Sequence, residues 1–256
     1  MRVIKPRKRF GQNFLVDQGL IGKIIRSFDT RPGEQVVEIG PGQGALTEHL
    51  VNTGCDLTLV EIDRDLADLL AERFPNVNLM NEDVLKADLP SVISEPPVRV
   101  IGNLPYNIST PLMFRLFKHL ELFHDMHFML QLEVVNRMTA EPSTKSYGRL
   151  SIMTQLYCQA EKLFEVPPEA FNPRPKVQSA IVRLEPRHRI AQVDTGVIEP
   201  MLIQAFSSRR KTIRNALKGL ISESELESLG LSPTLRPENL SVEDYIACSN
   251  LISARS

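Results

Sequence analysis

From Gln35 onward, short runs of β-forming residues alternate with segments of helical period: VVEI, then ALTEHLVNT, LTLVEI, RDLADLLAERF and VNLM. Such alternation builds βαβ units and a parallel sheet, whose strands are covered on both faces and so read as unbroken apolar runs. A doubly wound α/β sheet is the expected product. The pattern continues through VRVIGN, a helix in PLMFRLFKHLELF, a strand in HFMLQLE, a polar loop EPSTKSYG and a helix in LSIMTQLY. AEKLFEV and SAIVRLE then flank the proline-rich PPEAFNPRPK, which suits an antiparallel hairpin closing the sheet edge. After about Glu185 the β signals stop. VIEPMLIQAF, RRKTIRNALKGL, SESELESLG and SVEDYIACSNLI have helical period, with Ser224 ahead of Glu227 as a capping pair. The expectation is an α/β domain over residues 1–185 and a small all-α domain over residues 186–256.

Charge placement says more than the net charge of -1, since the 30 basic and 31 acidic residues are unevenly distributed. Arg2, Lys5, Arg7, Lys8 and Arg9 open the chain without an acid among them, and from 174 to 218 ten basic residues face three acids. These two zones suit a polyanionic partner. No run approaches the roughly 18 apolar residues of a membrane span, and nothing apolar follows the basic N-terminus as a signal peptide requires. Cys55, Cys158 and Cys248 are too scattered for a disulfide framework or zinc site, and the five histidines have no metal-ligand spacing. A cytoplasmic protein without metal is expected, with a monomer as the default.

The strand-to-helix turn in VVEIGPGQGALTEHL carries Gly40, Gly42 and Gly44, where backbone can approach a ligand without Cβ interference. Gly40, Gly42 and Ala45 also fit the dinucleotide spacing G-x-G-x-x-A, which keeps a nicotinamide or flavin enzyme in view. Either reading uses Glu61, which ends the second strand 21 positions after Gly40 and from there can accept both hydroxyls of a ribose. Asp83, after the third strand, is placed to bind an adenine amino group; the bland alternative is a loop-turn aspartate.

The fourth strand runs into Asn103, Leu104, Pro105 and Tyr106, and this tetrapeptide separates methyl transfer from hydride transfer. The exocyclic amine of adenine is a poor nucleophile because its lone pair is delocalised into the ring. Two acceptors holding its two N–H groups favour the pyramidal amine: the Asn103 amide oxygen and the Leu104 carbonyl, with Pro105 fixing the chain between them. No strong base is required, because the methylated amine is acidic enough to lose its proton to water. Tyr106 offers an aromatic face for a base taken out of its stack, and Phe171 in FNPRP is a candidate for the second face. Arg209, Arg210, Lys211 and Arg214 are candidates for phosphate contact, with Arg7, Lys8 and Arg9 at the other end of the chain.

RKRFGQNFLVD, VEIGPGQGALT, VEIDRDL, EDVL, IGNLPYNIST, FMLQLEVVNRM and FNPRPKVQSAIVRL occur in order, and with them the chain resembles the ribosomal RNA adenine dimethyltransferase family along nearly its whole length. The resemblance implies a Rossmann-like, S-adenosylmethionine-dependent methyltransferase domain followed by a helical one. It implies that Asn13, Leu15, Gly40, Glu61, Asp83 and Asn103 contact S-adenosylmethionine, and that Tyr106 and Phe171 sandwich the target base. Spacing alone would not single out Asn13 or Leu15. The implied reaction is dimethylation at N6 of two adjacent adenines in the 3′-terminal hairpin loop of 16S rRNA, on the small ribosomal subunit or its precursor. A role mainly as an RNA-binding assembly factor, with methylation as a release signal, is the alternative of a different class.

Overall fold

The computed structural model describes residues 6–7, 11–93, 95–187, 193–207 and 210–255. By packing, the chain divides into two compact units, Met1–Val135 with Glu161–Pro186, and Asn136–Ala160 with Arg187–Ser256. The second unit resumes at Arg187, beside the expected boundary. It also claims residues 136–160, which the sequence reading assigned to the first domain. The reason is local: Gln155 Nε2 donates to the carbonyls of Met138 and Ala140, and Ser151 Oγ to that of Arg137, tying this stretch to itself.

The first unit holds β1 (Phe14–Leu15), α1 (Gln18–Phe28), β2 (Gln35–Ile39), α2 (Thr47–Val51), β3 (Asp56–Val60), α3 (Arg64–Arg73), β4 (Asn78–Met80), α4 (Leu89–Val92), β5 (Val98–Asn103), α5 (Tyr106–Leu116) and β6 (Phe123–Gln131). The chain goes on through α6 (Leu132–Met138) and α7 (Arg149–Tyr157) to β7 (Cys158–Val166), β8 (Phe171–Asn172) and β9 (Ser179–Pro186). Seven strands form one sheet in the order β4-β3-β2-β5-β6-β9-β7. From β4 to β6 every pairing is parallel, and β9 runs antiparallel to β6. Buried apolar side chains such as Phe28, Leu50, Leu59, Leu70 and Ile101 form the core.

Strand order reverses between β2 and β5: β3 and β4 extend one way from β2, while β6 extends the other way from β5. In an open parallel sheet such a switch opens a crevice beyond the carboxyl ends of the two strands, here Ile39 and Asn103. Gly102 permits their approach. A Cβ there would lie 2.5 Å from the Ile39 carbonyl oxygen, so any side chain would force β2 and β5 apart.

Three expectations change. The helix expected from Pro111 starts at Tyr106 and carries Pro111 inside it, where the missing N–H leaves the Asn107 carbonyl without its usual helical donor. The proline-rich loop expected as a plain hairpin connection forms a second, two-stranded sheet: β8 pairs antiparallel with β1, Phe14 opposite Asn172 and Leu15 opposite Phe171.

The third change lies in the second unit, which continues with α8 (Thr195–Ala205), α9 (Ile213–Ala216), α10 (Glu223–Ser228) and α11 (Val242–Ser253). The expected long helix in RRKTIRNALKGL shrinks to the four residues of α9. Extended Thr212 precedes it, and the Ile213 and Arg214 N–H groups donate to Leu235 and Pro233 rather than to a preceding turn. The cap expected at Ser224 sits two residues earlier, where Ser222 accepts from the Glu225 N–H and Glu225 reaches back to the Ser222 N–H.

Candidate active site

A cavity of 330 Å³ fills the crevice of the first unit, within the usual range for small-ligand sites. Asn13, Leu15, Gly40, Gly42, Glu61, Asp83, Asn103, Leu104, Pro105 and Tyr106 all line it. Segments separated by more than ninety positions, Asn13 and Tyr106, thus meet in one place.

The glycine turn forms the floor. Gly42 has φ of 59°, a conformation that L side chains rarely adopt, and a Cβ would sit 3.1 Å from the Phe14 ring. The Gly42 N–H donates to Glu61 Oε2 at 3.1 Å, and the Asp63 N–H donates to Oε1 at 2.9 Å. Both carboxylate oxygens are therefore fixed in place, with lone pairs left over for ribose hydroxyls. Burial nevertheless pushes the Glu61 carboxyl above its ordinary range. Asp83 accepts from the Leu85 N–H at 3.0 Å, so it shapes its turn and lines the cavity at the same time.

Asn103 ends β5 with its Nδ2 donating to the Asn13 carbonyl at 3.0 Å. That contact assigns the amide orientation: the nitrogen is engaged by the N-terminal segment, and the oxygen is left as acceptor. Leu104 is buried, and its N–H donates to the Met129 carbonyl at 3.3 Å, pinning the tetrapeptide to β6. Pro105 precedes the first residue of α5, Tyr106. The Tyr106 hydroxyl lies 2.7 Å from Ser179 Oγ.

The N-terminal segment is clamped beside Glu61, through Asp63. Gln12 accepts from the Arg7 N–H at 2.8 Å and donates to Asp63 Oδ2 at 3.1 Å, and the Arg7 guanidinium pairs with Asp63 at 2.7 Å and with Asp65. Arg7, expected to meet RNA, is thus held by two carboxylates of its own chain.

Phe171 does not line the cavity. It is 4% exposed and belongs to the core cluster with Leu15, Ile21 and Ile181. The structure therefore does not bring it face to face with Tyr106 across the cavity. Of the basic candidates, Lys8, Arg9 and Arg209 lie outside the described residues. Arg210 and Lys211 are exposed, while Arg214 pairs with Glu223 at 3.2 Å, an acid that the sequence count from 174 to 218 did not include.

Sequence reasoning passed over Phe14, Gln12 and Glu38, all of which line the cavity. Glu38 had a legible signal, a lone acid inside the apolar strand VVEI. It is 1% exposed, accepts from the Thr47 hydroxyl at 2.7 Å, and its carboxyl is pushed up to about 8 by burial, with the charge of Glu61 adding to the shift. Among the described residues no group of three or more His, Cys, Asp or Glu side chains is placed to hold a metal ion, and no helix is long and apolar enough to cross a membrane.

Comparison with known proteins places this geometry. The chain is 50% identical over 257 residues to the ribosomal RNA small subunit methyltransferase A of Pseudomonas savastanoi pv. phaseolicola, covering 98% of this chain and 96% of that protein. Its fold matches the crystal structure of a dimethyladenosine transferase from Plasmodium falciparum with a TM-score of 0.83 at 26% identity, covering 94% of this chain and 98% of that one. It also matches a 23S rRNA methyltransferase, ErmE, with a TM-score of 0.70 at 27% identity, covering 94% of this chain and all of the other, 100%. The family described as ribosomal RNA adenine dimethylase matches residues 3–254, and the chain belongs to it.

Proposed function

We propose that this protein transfers methyl groups from S-adenosylmethionine to N6 of two adjacent adenines in the 3′-terminal hairpin loop of 16S rRNA, giving N6,N6-dimethyladenosine on the small ribosomal subunit or its precursor. The observation that carries the reading is the Asn103 amide. Its nitrogen is spent on the Asn13 carbonyl, so its oxygen is the acceptor presented beside Tyr106. The small-subunit choice rests on the relative from Pseudomonas savastanoi, whose name assigns it to that subunit and which aligns over nearly the full length of both chains.

The donor-binding reading fits the cavity. Glu61 would hold the ribose, Asp83 the adenine amino group, and Gly40, Gly42, Asn13, Leu15 and Asn103 the rest; bound there, S-adenosylmethionine supplies an electrophilic methyl. The protein's own task is then to prepare the amine. The Asn103 oxygen and the Leu104 carbonyl accept its two N–H groups, drawing the nitrogen toward a pyramidal shape and aiming its lone pair. Tyr106 stacks on the base and keeps it out of its RNA context. Phe171 could form the opposite face only by leaving the core. Exposed Arg210 and Lys211 would hold phosphates, the monomer acting alone in the cytoplasm.

Incubating the protein with S-adenosylmethionine and under-methylated small subunits, with large subunits in parallel, tests the substrate. Dimethyladenosine in the 3′ hairpin of small-subunit RNA supports the reading; product confined to large-subunit RNA rejects it.

A further inference from the structure

The Tyr106 phenol is anchored at both ends. Its Cα begins α5, and its hydroxyl is 2.7 Å from Ser179 Oγ, reaching past β6 to the first residue of β9. Ser179 is fully buried and stands opposite Gln131 in the β6–β9 register, where the neighbouring Gln178 carbonyl accepts from the Leu132 N–H. The serine hydroxyl therefore sits on rigid sheet, not on a surface loop. A stacking face alone would need only a phenyl ring. A half-buried phenol adds a polar atom that must find a partner, and a second fixed point at the ring tip removes the freedom of the ring to swing about its Cα–Cβ bond.

We propose that Ser179 is a positioning residue for methyl transfer: its hydroxyl holds the Tyr106 phenol and, through it, the aromatic face that receives the target base. This rests on the reading of Tyr106 as that face. The same bond occupies the phenol tip, so Tyr106 acts through its ring and takes no part in moving the proton of the substrate amine.

A double-mutant cycle on under-methylated small subunits tests this, with kcat and the KM for S-adenosylmethionine measured separately. Ser179→Ala and Tyr106→Phe each remove one half of the bond. Each is expected to lower kcat by about tenfold at every pH from 7 to 9 with KM for the methyl donor unchanged, and the double variant should lose no more than either alone. An unchanged kcat in either single variant overturns the proposal, as do losses that multiply in the double. Should Ser179→Ala fail to fold, Tyr106→Phe leaves β9 intact and decides alone by its kcat: a loss of about tenfold with KM unchanged supports the proposal and an unchanged kcat overturns it. Tyr106→Ala separates this from the parent reading: if it works at the wild-type rate the stacking role itself fails, whereas its inactivity beside fully active Tyr106→Phe and Ser179→Ala removes only the positioning role.

Discussion

Glu38 is a carboxyl held inside the sheet with one hydroxyl donor and a second carboxylate nearby, and its pKa of about 8 lies well above the 4.5 of an exposed glutamate. Because the folded value is the higher one, the neutral form favours folding. Its contribution is fully present below about pH 4.5 and is lost as pH rises toward 8. Urea unfolding at a series of pH values should show wild type losing stability relative to Glu38→Gln between about pH 5 and 8, with a constant difference above that; parallel curves would contradict the assignment. Phe171 gives a prediction of another kind. Buried to 4%, it should cost about 3–5 kcal/mol when cut to alanine, so Phe171→Ala would lower the melting temperature whatever it does to activity. The sequence left Phe171 open between a stacking face and the core position usual for a proline-braced phenylalanine, and no local pattern records that β8 folds against β1 and turns the ring into the core. Asn13 was legible only by resemblance, since the contact it makes with Asn103 runs through its backbone carbonyl, which any residue could supply.

At the scale of elements, the sheet is tied through a charged cross-strand pair. Arg99 on β5 stands opposite Asp125 on β6 and binds it through two bonds of 2.8 Å, while its remaining nitrogen reaches Glu34 at 3.2 Å ahead of β2. The Asp125 carboxyl is held well below the usual carboxylate range by the hydrogen bond and charge of Arg99, against the opposing effect of burial. Its contribution is therefore present above about pH 3.8 and lost as the medium becomes more acid. Arg99→Ala leaves that buried carboxylate without its guanidinium partner, with the His127 ring nitrogen at 3.2 Å still beside it, at an expected cost of about 3 kcal/mol in urea unfolding. The strand and helix pattern was readable because apolar runs of strand length alternate with helical periods. What escaped was pairing over distance: the β1–β8 ribbon, the regrouping of 136–160, and the collapse of the basic helix to α9, whose first two N–H groups, of Ile213 and Arg214, donate to Leu235 and Pro233.

For the whole molecule, binding to ribosomal particles should weaken steeply with salt, because basic side chains displace ions from RNA phosphates. Lys211→Ala or Arg210→Ala should each reduce the slope of log affinity against log salt by about 1 and leave affinity for S-adenosylmethionine unchanged. An unchanged slope would mean that these exposed cations face solvent only.

The measurement that bears most directly on the central claim is tritiated methyl transfer from S-adenosylmethionine to under-methylated small subunits, followed by digestion to nucleosides, for wild type and Tyr106→Ala. The cavity predicts dimethyladenosine from wild type and a loss of about ten- to a hundredfold in the variant, with particle binding retained. Equal dimethyladenosine from both proteins, or label only on nucleosides other than N6-methylated adenosines, would contradict it.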